Sequence, residues 1–328
     1  MGRVTLLLVL MLIPSLSNAY QKGIALGLYS KDRNYSYRQE LEEIHGTGAD
    51  HVSLVVSWYQ KDIRAIDIYP RQKPLGDFET TPDEVLEKVI QEAHRMGLKV
   101  FLFPILRIEE RQEKDWRGVV EPSRLPIWLE NYKRFTLHYA RLAASQKVEL
   151  YSVGSELCSI EKETQFWKQL ISEIRVFYPG KLLYSANWDH YQKIRFWSDL
   201  DYLGLNGYYE LTKDSTPNIE DLLKQWKEIE DKLSSWQKQN QKQIIFTELG
   251  YPSIDGACGK PWDYTRETAI DLQEQALCYE AFFLAWSNSS SLGGVYFWNW
   301  YGQGGTNDHS YTPRGKPAEK VLTRWYHF

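Results

Sequence analysis

A single closed (β/α)8 barrel is the fold this sequence predicts, on three observations. Eight apolar runs of strand length alternate with stretches of helical periodicity, and strict alternation implies a parallel sheet. The eight units fill about 300 residues without linker, repeat or low-complexity segment, the size of one such barrel. An open doubly wound sheet is the competing arrangement. Its Gly-rich phosphate loop after the first strand is missing, because the chain there reads Tyr29-Ser-Lys-Asp-Arg-Asn34.

The elements follow in order. Gly23 to Leu28 is a first apolar run, and Tyr37 to His45 a helical stretch. His51 to Ser57 is a β-branched second strand. Thr81-Pro82-Asp-Glu84 reads as a capping box with Pro in the first turn, opening a helix that Gly97 ends. Leu98 to Phe103 is the third strand. Ser123 is placed to cap a helix with Trp128, Phe135, Tyr139 and Leu142 on one face. Strand four ends at Glu156. Phe166, Leu170, Ile171 and Ile174 mark a helix that stops at Pro179-Gly180. Lys181 to Asn187 is strand five, His190 to Trp197 a short helix, and Asp201 to Tyr208 strand six. Thr216-Pro217 starts a long helix with Ile219, Leu222, Leu223, Trp226, Ile229 and Leu233 at helical spacing. Strand seven ends at Glu248, a helix spans about Arg266 to Ser287, Gly293 to Trp298 is strand eight, and a last helix begins near Pro317.

Composition narrows the function. A net charge of −4 and a pI near 6.0 give no electrostatic pull toward nucleic acid or an anionic membrane. The chain carries 13 Trp and 22 Tyr; exposed aromatics stack on sugar faces, although barrel packing also consumes them. Met1-Gly-Arg3, the apolar run Val4–Ile13 and Ser17-Asn-Ala19 have the layout of an export signal cut after Ala19. The mature domain is then 20–328, secreted or periplasmic. The apolar run is too short for a permanent membrane span. Cys258 and Cys278 both fall around the helix after strand seven and could pair, which spacing alone does not show; Cys158 reads as a small buried residue. No compact Cys/His metal motif occurs, and no cofactor is implied. The sequence carries no signal of oligomeric state.

Two carboxylates carry the chemistry. Glu156 and Glu248 each end an apolar strand, where an unpaired charge is costly to bury. Barrel strands deliver their C-termini to one face, and strands four and seven stand nearly opposite. Two facing carboxyls, one neutral and one ionised, are what cleavage of a glycosidic bond requires; about 5–5.5 Å apart, the ionised one attacks directly. Around them the strand ends place Trp58, Arg107, Asn187, Trp188, Asn206, Tyr208 and Trp298. Such a ring of aromatic, amide and hydroxyl groups suits a neutral oligo- or polysaccharide, and it lacks the clustered Lys and Arg that phosphates need. Packing is the alternative for Trp58, Trp188 and Trp298, solvated charge for Arg107 and Arg117, and turn formation for Asn187.

The segments Val52–Gln60, Trp116-Arg-Gly118, Val153-Gly-Ser-Glu-Leu157, Thr247–Tyr251, Phe297–Trp300 and Tyr311–Ala318 together resemble clan A of the glycoside hydrolases, and within it the family 113 β-mannanases. The resemblance runs from about residue 23 to 325. It implies that Glu156 is the acid/base and Glu248 the nucleophile, with Tyr208 donating to Glu248 and Trp298 flooring the sugar site before a cis peptide. It draws Trp116 into the substrate-binding set. Where the clan usually has Asn before the acid/base, this chain has Ser155, a shorter donor toward the sugar 2-hydroxyl. The resemblance implies β-1,4-mannan as substrate. A clan relative acting on cellulose or xylan, and a carbohydrate-binding barrel without catalysis, are the rival readings.

Overall fold

In the computed structural model, residues 20–328 are described apart from 31, 33, 72–79, 214 and 215. The segment read as an export signal lies outside the described residues. Eight strands, β1 (Gln21–Gly27), β2 (His51–Gln60), β3 (Lys99–Ile108), β4 (Leu150–Ser155), β5 (Lys181–Asn187), β6 (Leu203–Asn206), β7 (Ile244–Leu249) and β8 (Leu292–Phe297), pair in sequence order. β8 returns to β1 and every pairing is parallel. This is a single (β/α)8 barrel.

Alternation along the strands builds two cores. Ile24, Leu26, Val52, Leu54, Val100, Leu102, Tyr151, Leu182, Leu203 and Phe246 face outward into the layer under the helices. Ala25, Val55, Phe101, Phe103, Ile105, Leu150, Leu183, Ile245 and Tyr296 fill the barrel itself. The same parity carries Tyr29 and Arg107 to the inside at the C-terminal ends. Three ladders slip where the carboxylates stand. β6 shifts register against β7 between Leu205 and Asn206, so that Asn206 comes opposite Glu248. β4 shifts register against β5 between Ser152 and Ser155, and β7 shifts against β8 between Phe246 and Leu249. Such irregularities re-aim side chains.

Seven α-helices are present among the described residues: α1 (Arg38–Gly46), α2 (Asp83–Arg95), α3 (Leu125–Ser145), α4 (Thr164–Arg175), α5 (Ile219–Asn240), α6 (Leu272–Trp286) and α7 (Pro317–Tyr326). The short helix expected over 190–197 is instead two 3-10 turns, Tyr191–Lys193 and Trp197–Asp199. There the Trp197 indole donates to Tyr191 O (2.9 Å) and closes the segment on itself. The capping box at Thr81 does not form, because its hydroxyl donates to Leu28 O (2.8 Å) at the end of β1. Ser123 does not cap α3, which begins after Arg124. α5 starts two residues later than expected, where the Asn218 side chain accepts from Asp221 N. α6 starts at Leu272 rather than near 266, capped by Asp271, since Ile270 bridges to Ile254 in the preceding loop. Cys258 and Cys278 form a disulfide that staples this loop to α6, with Cα atoms 6.3 Å apart.

The Tyr311–Ala318 segment is a structural latch. The Lys316 ammonium is buried and donates to Ser253 Oγ (2.8 Å), Asp308 Oδ1 (2.8 Å) and Ser310 O (3.0 Å). Arg314 pairs with Glu43 of α1 at 2.5 Å. These contacts tie the loop after β8 to the loop after β7 and to α1. No described helix is long and apolar enough to cross a membrane.

Candidate active site

Glu248, on β7, is 3% exposed, and Glu156, just past β4, is 7% exposed. Glu156 adopts φ +52, a left-handed conformation that non-glycine residues seldom take and that concentrates at functional sites. It is held there by its own N–H on Ser185 O (2.9 Å) and by Leu157 N on the Tyr184 hydroxyl (2.8 Å).

Between the two carboxylates stands Arg117. One of its nitrogens lies 2.6 Å from Glu156 Oε2 and 3.9 Å from Glu248 Oε1, so those oxygens are no more than about 6.5 Å apart. Arg117 opens a 3-10 turn, Arg117–Val119, in the loop after β3. The turn needs a glycine at 118, because a Cβ there would sit 2.3 Å from the Trp116 ring. Burial opposes the guanidinium charge, yet Glu156 and Glu248 outweigh it and hold Arg117 protonated above its usual range.

Glu248 is oriented from the β6 side. Tyr208 donates its hydroxyl to Oε2 (2.7 Å), and Asn206 Nδ2 donates to Oε1 (3.2 Å). The Asn206 carbonyl oxygen accepts from Thr247 Oγ1 (2.8 Å), and its amide is 3.5 Å from Ser155 Oγ. Asn206 thus positions the carboxylate, with Ser155 Oγ beside its amide, and both residues are buried. Burial first, then the charge of Glu156, push Glu248 up to about 7, while Arg117, Tyr208 and Asn206 act in the opposite sense.

The remaining expected residues divide by position. The Arg107 guanidinium lies 4.6 Å over the Tyr29 ring inside the mouth, and Tyr29 meets Tyr301 edge-on at 5.2 Å. Trp298 packs on the barrel interior, and the peptide to Asn299 is cis. Asn187 spends its amide on Asp189 (2.8 Å) at the rim. Trp188 stacks on the partly exposed Trp262 (6.1 Å, 28°) beside it. Trp116 borders a neighbouring cleft of about 520 Å³ that also includes Cys158 and His190. Trp58 is the exception: β2 turns it outward, against Phe135, His138 and Tyr139 of α3. The structure therefore puts Trp58 in the helix layer and not in the ring around the carboxylates.

In the sequence Arg117 stands out only within the Trp116-Arg-Gly118 segment, with solvated charge as its alternative, and Tyr29 is not among the expected site residues. Parity would have found Tyr29, since Ala25, Gly27 and Tyr29 share the inward face of β1. Arg117 has no such signal, lying in a loop without periodicity.

Comparison with known proteins matches this geometry to a family. The model of Glycoside Hydrolase Family 113 matches residues 25–316. A solved family 113 β-1,4-mannanase complex is 26% identical with a TM-score of 0.84, covering 94% of this chain and 99% of that one. A family 113 β-mannanase from Alicyclobacillus acidocaldarius, in complex with ManMIm, is 25% identical with a TM-score of 0.84, covering 95% and 98%. A β-glucuronidase from Ruminococcus gnavus, 15% identical with a TM-score of 0.62 over 93% of this chain and 50% of its own, shares the fold alone. No curated protein sequence matches. With the family match spanning nearly all of the barrel, the chain belongs to Glycoside Hydrolase Family 113.

Proposed function

We propose that the protein is a retaining hydrolase of β-1,4-linked mannan, with Glu156 as acid/base and Glu248 as nucleophile, acting after export through segment 1–19. The observation that carries this reading is the Arg117 nitrogen within reach of both carboxylates. The bound of about 6.5 Å that it imposes meets only the lower edge of the spacing inverting enzymes use to admit a water, about 6.5–9.5 Å, and admits the shorter retaining distance. The Cys258–Cys278 bridge fits an oxidising compartment. Mannan is favoured because both family members described above are β-mannanases.

In this mechanism the pair holds one proton. In the free enzyme burial and Glu156 favour it on Glu248. It must pass to Glu156, which then gives it to the glycosidic oxygen that enters beside it. Glu248, aimed by Tyr208 and Asn206, attacks the anomeric carbon and forms a glycosyl ester. The leaving sugar departs, Glu156 removes a proton from water, and that water opens the ester to regenerate both carboxyls. Arg117 neutralises whichever carboxylate is ionised at each stage.

Following the anomeric proton signals of the first product from mannan oligosaccharides tests the reading. The β anomer should appear first, and Glu248→Ala should abolish turnover while still binding mannan. An α-anomeric first product, wild-type rates in that variant, or cleavage of xylan or cellulose with mannan untouched would overturn it.

A further inference from the structure

Behind Glu156 lies a second cluster that the hydrolytic mechanism does not use. The turn after β4 presents Cys158 and Glu161, and the loop after β5 presents His190. One ligand-type atom from each lies within 4.8 Å of the others. Glu161 is 2% exposed. Its Oε1 accepts from the Tyr184 hydroxyl (2.9 Å), but its Oε2 is buried without a hydrogen-bond partner. It faces His190 Nδ1 at 3.4 Å, ion-pair range without a hydrogen bond, and that nitrogen is likewise buried with no hydrogen-bond partner elsewhere. A buried carboxylate oxygen without a hydrogen-bond donor is unfavourable. Two such atoms facing one another beside a thiol leave a gap that a cation fills.

We propose that Cys158, Glu161 and His190 bind a thiophilic divalent metal ion of the Zn2+ class. The donors are a sulfur, an imidazole nitrogen and a carboxylate oxygen, the set that tetrahedral zinc accepts at bond lengths of about 2.0–2.3 Å. Cys158 and His190 also line the cleft of about 520 Å³, which supplies an entry path and a fourth position for water. The Tyr184 hydroxyl that orients Glu161 also receives Leu157 N, so Tyr184 acts on the carboxylate as an orienting partner does in metal sites. Bound there, the ion links the loops after β4 and β5 behind Glu156. The site stands on its own geometry, whatever glycan the barrel cleaves.

Co2+ is the probe, because thiolate ligation gives it a charge-transfer absorption. The chain has three cysteines, and two form the disulfide, so such a band has one possible source. The full-length protein is titrated with CoCl2 without thiol reductant, which keeps the bridge closed. A band saturating at one Co2+ per chain, displaced by Zn2+, absent in Cys158→Ser and requiring at least ten-fold more Co2+ in His190→Gln, is the expected result. No band in folded wild-type protein at millimolar Co2+, or a band that survives Cys158→Ser, overturns the site. The wild-type titration decides the matter even if a variant fails to fold.

Discussion

Glu248→Gln is expected to stabilise the protein at alkaline pH and to leave it nearly unchanged at acid pH. Burial and Glu156 push the Glu248 carboxyl from 4.5 to about 7. A carboxyl with a raised folded value holds its proton more tightly when folded. Its contribution to stability is complete below the unfolded value and is lost as pH climbs through the folded one. The interval between the two corresponds to roughly 3 kcal/mol, at about 1.36 kcal/mol per pH unit. Glutamine keeps the shape and never ionises. With its oxygen toward Tyr208 its amide faces the Asn206 amide, a lost hydrogen bond of about 1 kcal/mol that is the same at every pH. At about 2.1 cal/mol/K per residue, the ionisation free energy corresponds to about 4–5 °C in Tm. Thermal melts of both proteins from pH 5 to pH 9 measure the gap. It should be smallest at pH 5, where about a quarter of the ionisation penalty is already present because the unfolded carboxyl has begun to ionise, widen between pH 5 and 8, and stay level above. A gap that does not change with pH, or a variant less stable than wild type at pH 8, refutes the reasoning.

The remaining predictions concern the neighbours of that carboxylate and the frame. Arg117→Gln leaves two buried carboxylates without their cation and should cost about 3–5 kcal/mol at pH 8. In the Glu248→Gln background the cost should fall by about 1–3 kcal/mol, a coupling that chemical denaturation of the four proteins in the cycle reads directly. Tyr208→Phe removes one hydrogen bond to Glu248 and should lower kcat by about 10²-fold with little change in KM; steady-state kinetics on mannan oligosaccharides check this. Trp58→Ala should cost about 3–5 kcal/mol of stability through the cavity it leaves against α3, with KM unchanged, whereas a sugar contact would move KM first. Lys316→Met takes the cation from Asp308, which keeps its hydrogen bonds from Ser310, and should destabilise the fold by about 1–3 kcal/mol in urea unfolding.

The barrel was legible because each strand core is a run of β-branched and apolar residues and each long helix shows its stripe. The carboxylate pair was legible because a charge at the end of such a run has few innocent explanations. Tyr208 and Asn206 followed from ending the neighbouring strand. Trp58 was misplaced for a physical reason: every residue of β2 is buried, so the strand shows no alternation from which to tell inside from outside. Helix starts failed where a side chain had a better partner, as Thr81 does in Leu28 O. The metal cluster was hidden because a one-turn pair after β4 and a histidine after β5 share no sequence spacing, only a fold.

Arg117 shows why the least periodic part of the chain can matter most to the site. Two carboxyls must be buried to be set apart in proton affinity, but burying two like charges is unfavourable unless a cation stands between them. The strands cannot supply it. Their inward positions at this height already belong to Tyr29, Arg107, Asn206 and Glu248, and Arg107 is engaged over Tyr29. The cation therefore comes from a loop, and a loop long enough to reach Glu156 needs its own anchor. Gly118 under the Trp116 ring is part of that anchor, and Ser159 N on Gly118 O (3.0 Å) ties the turn to the segment that follows Glu156. The resemblance flagged Trp116-Arg-Gly118 as a unit, and the structure gives the unit its reason: the indole and the glycine hold the turn, and the turn holds the guanidinium between the carboxylates.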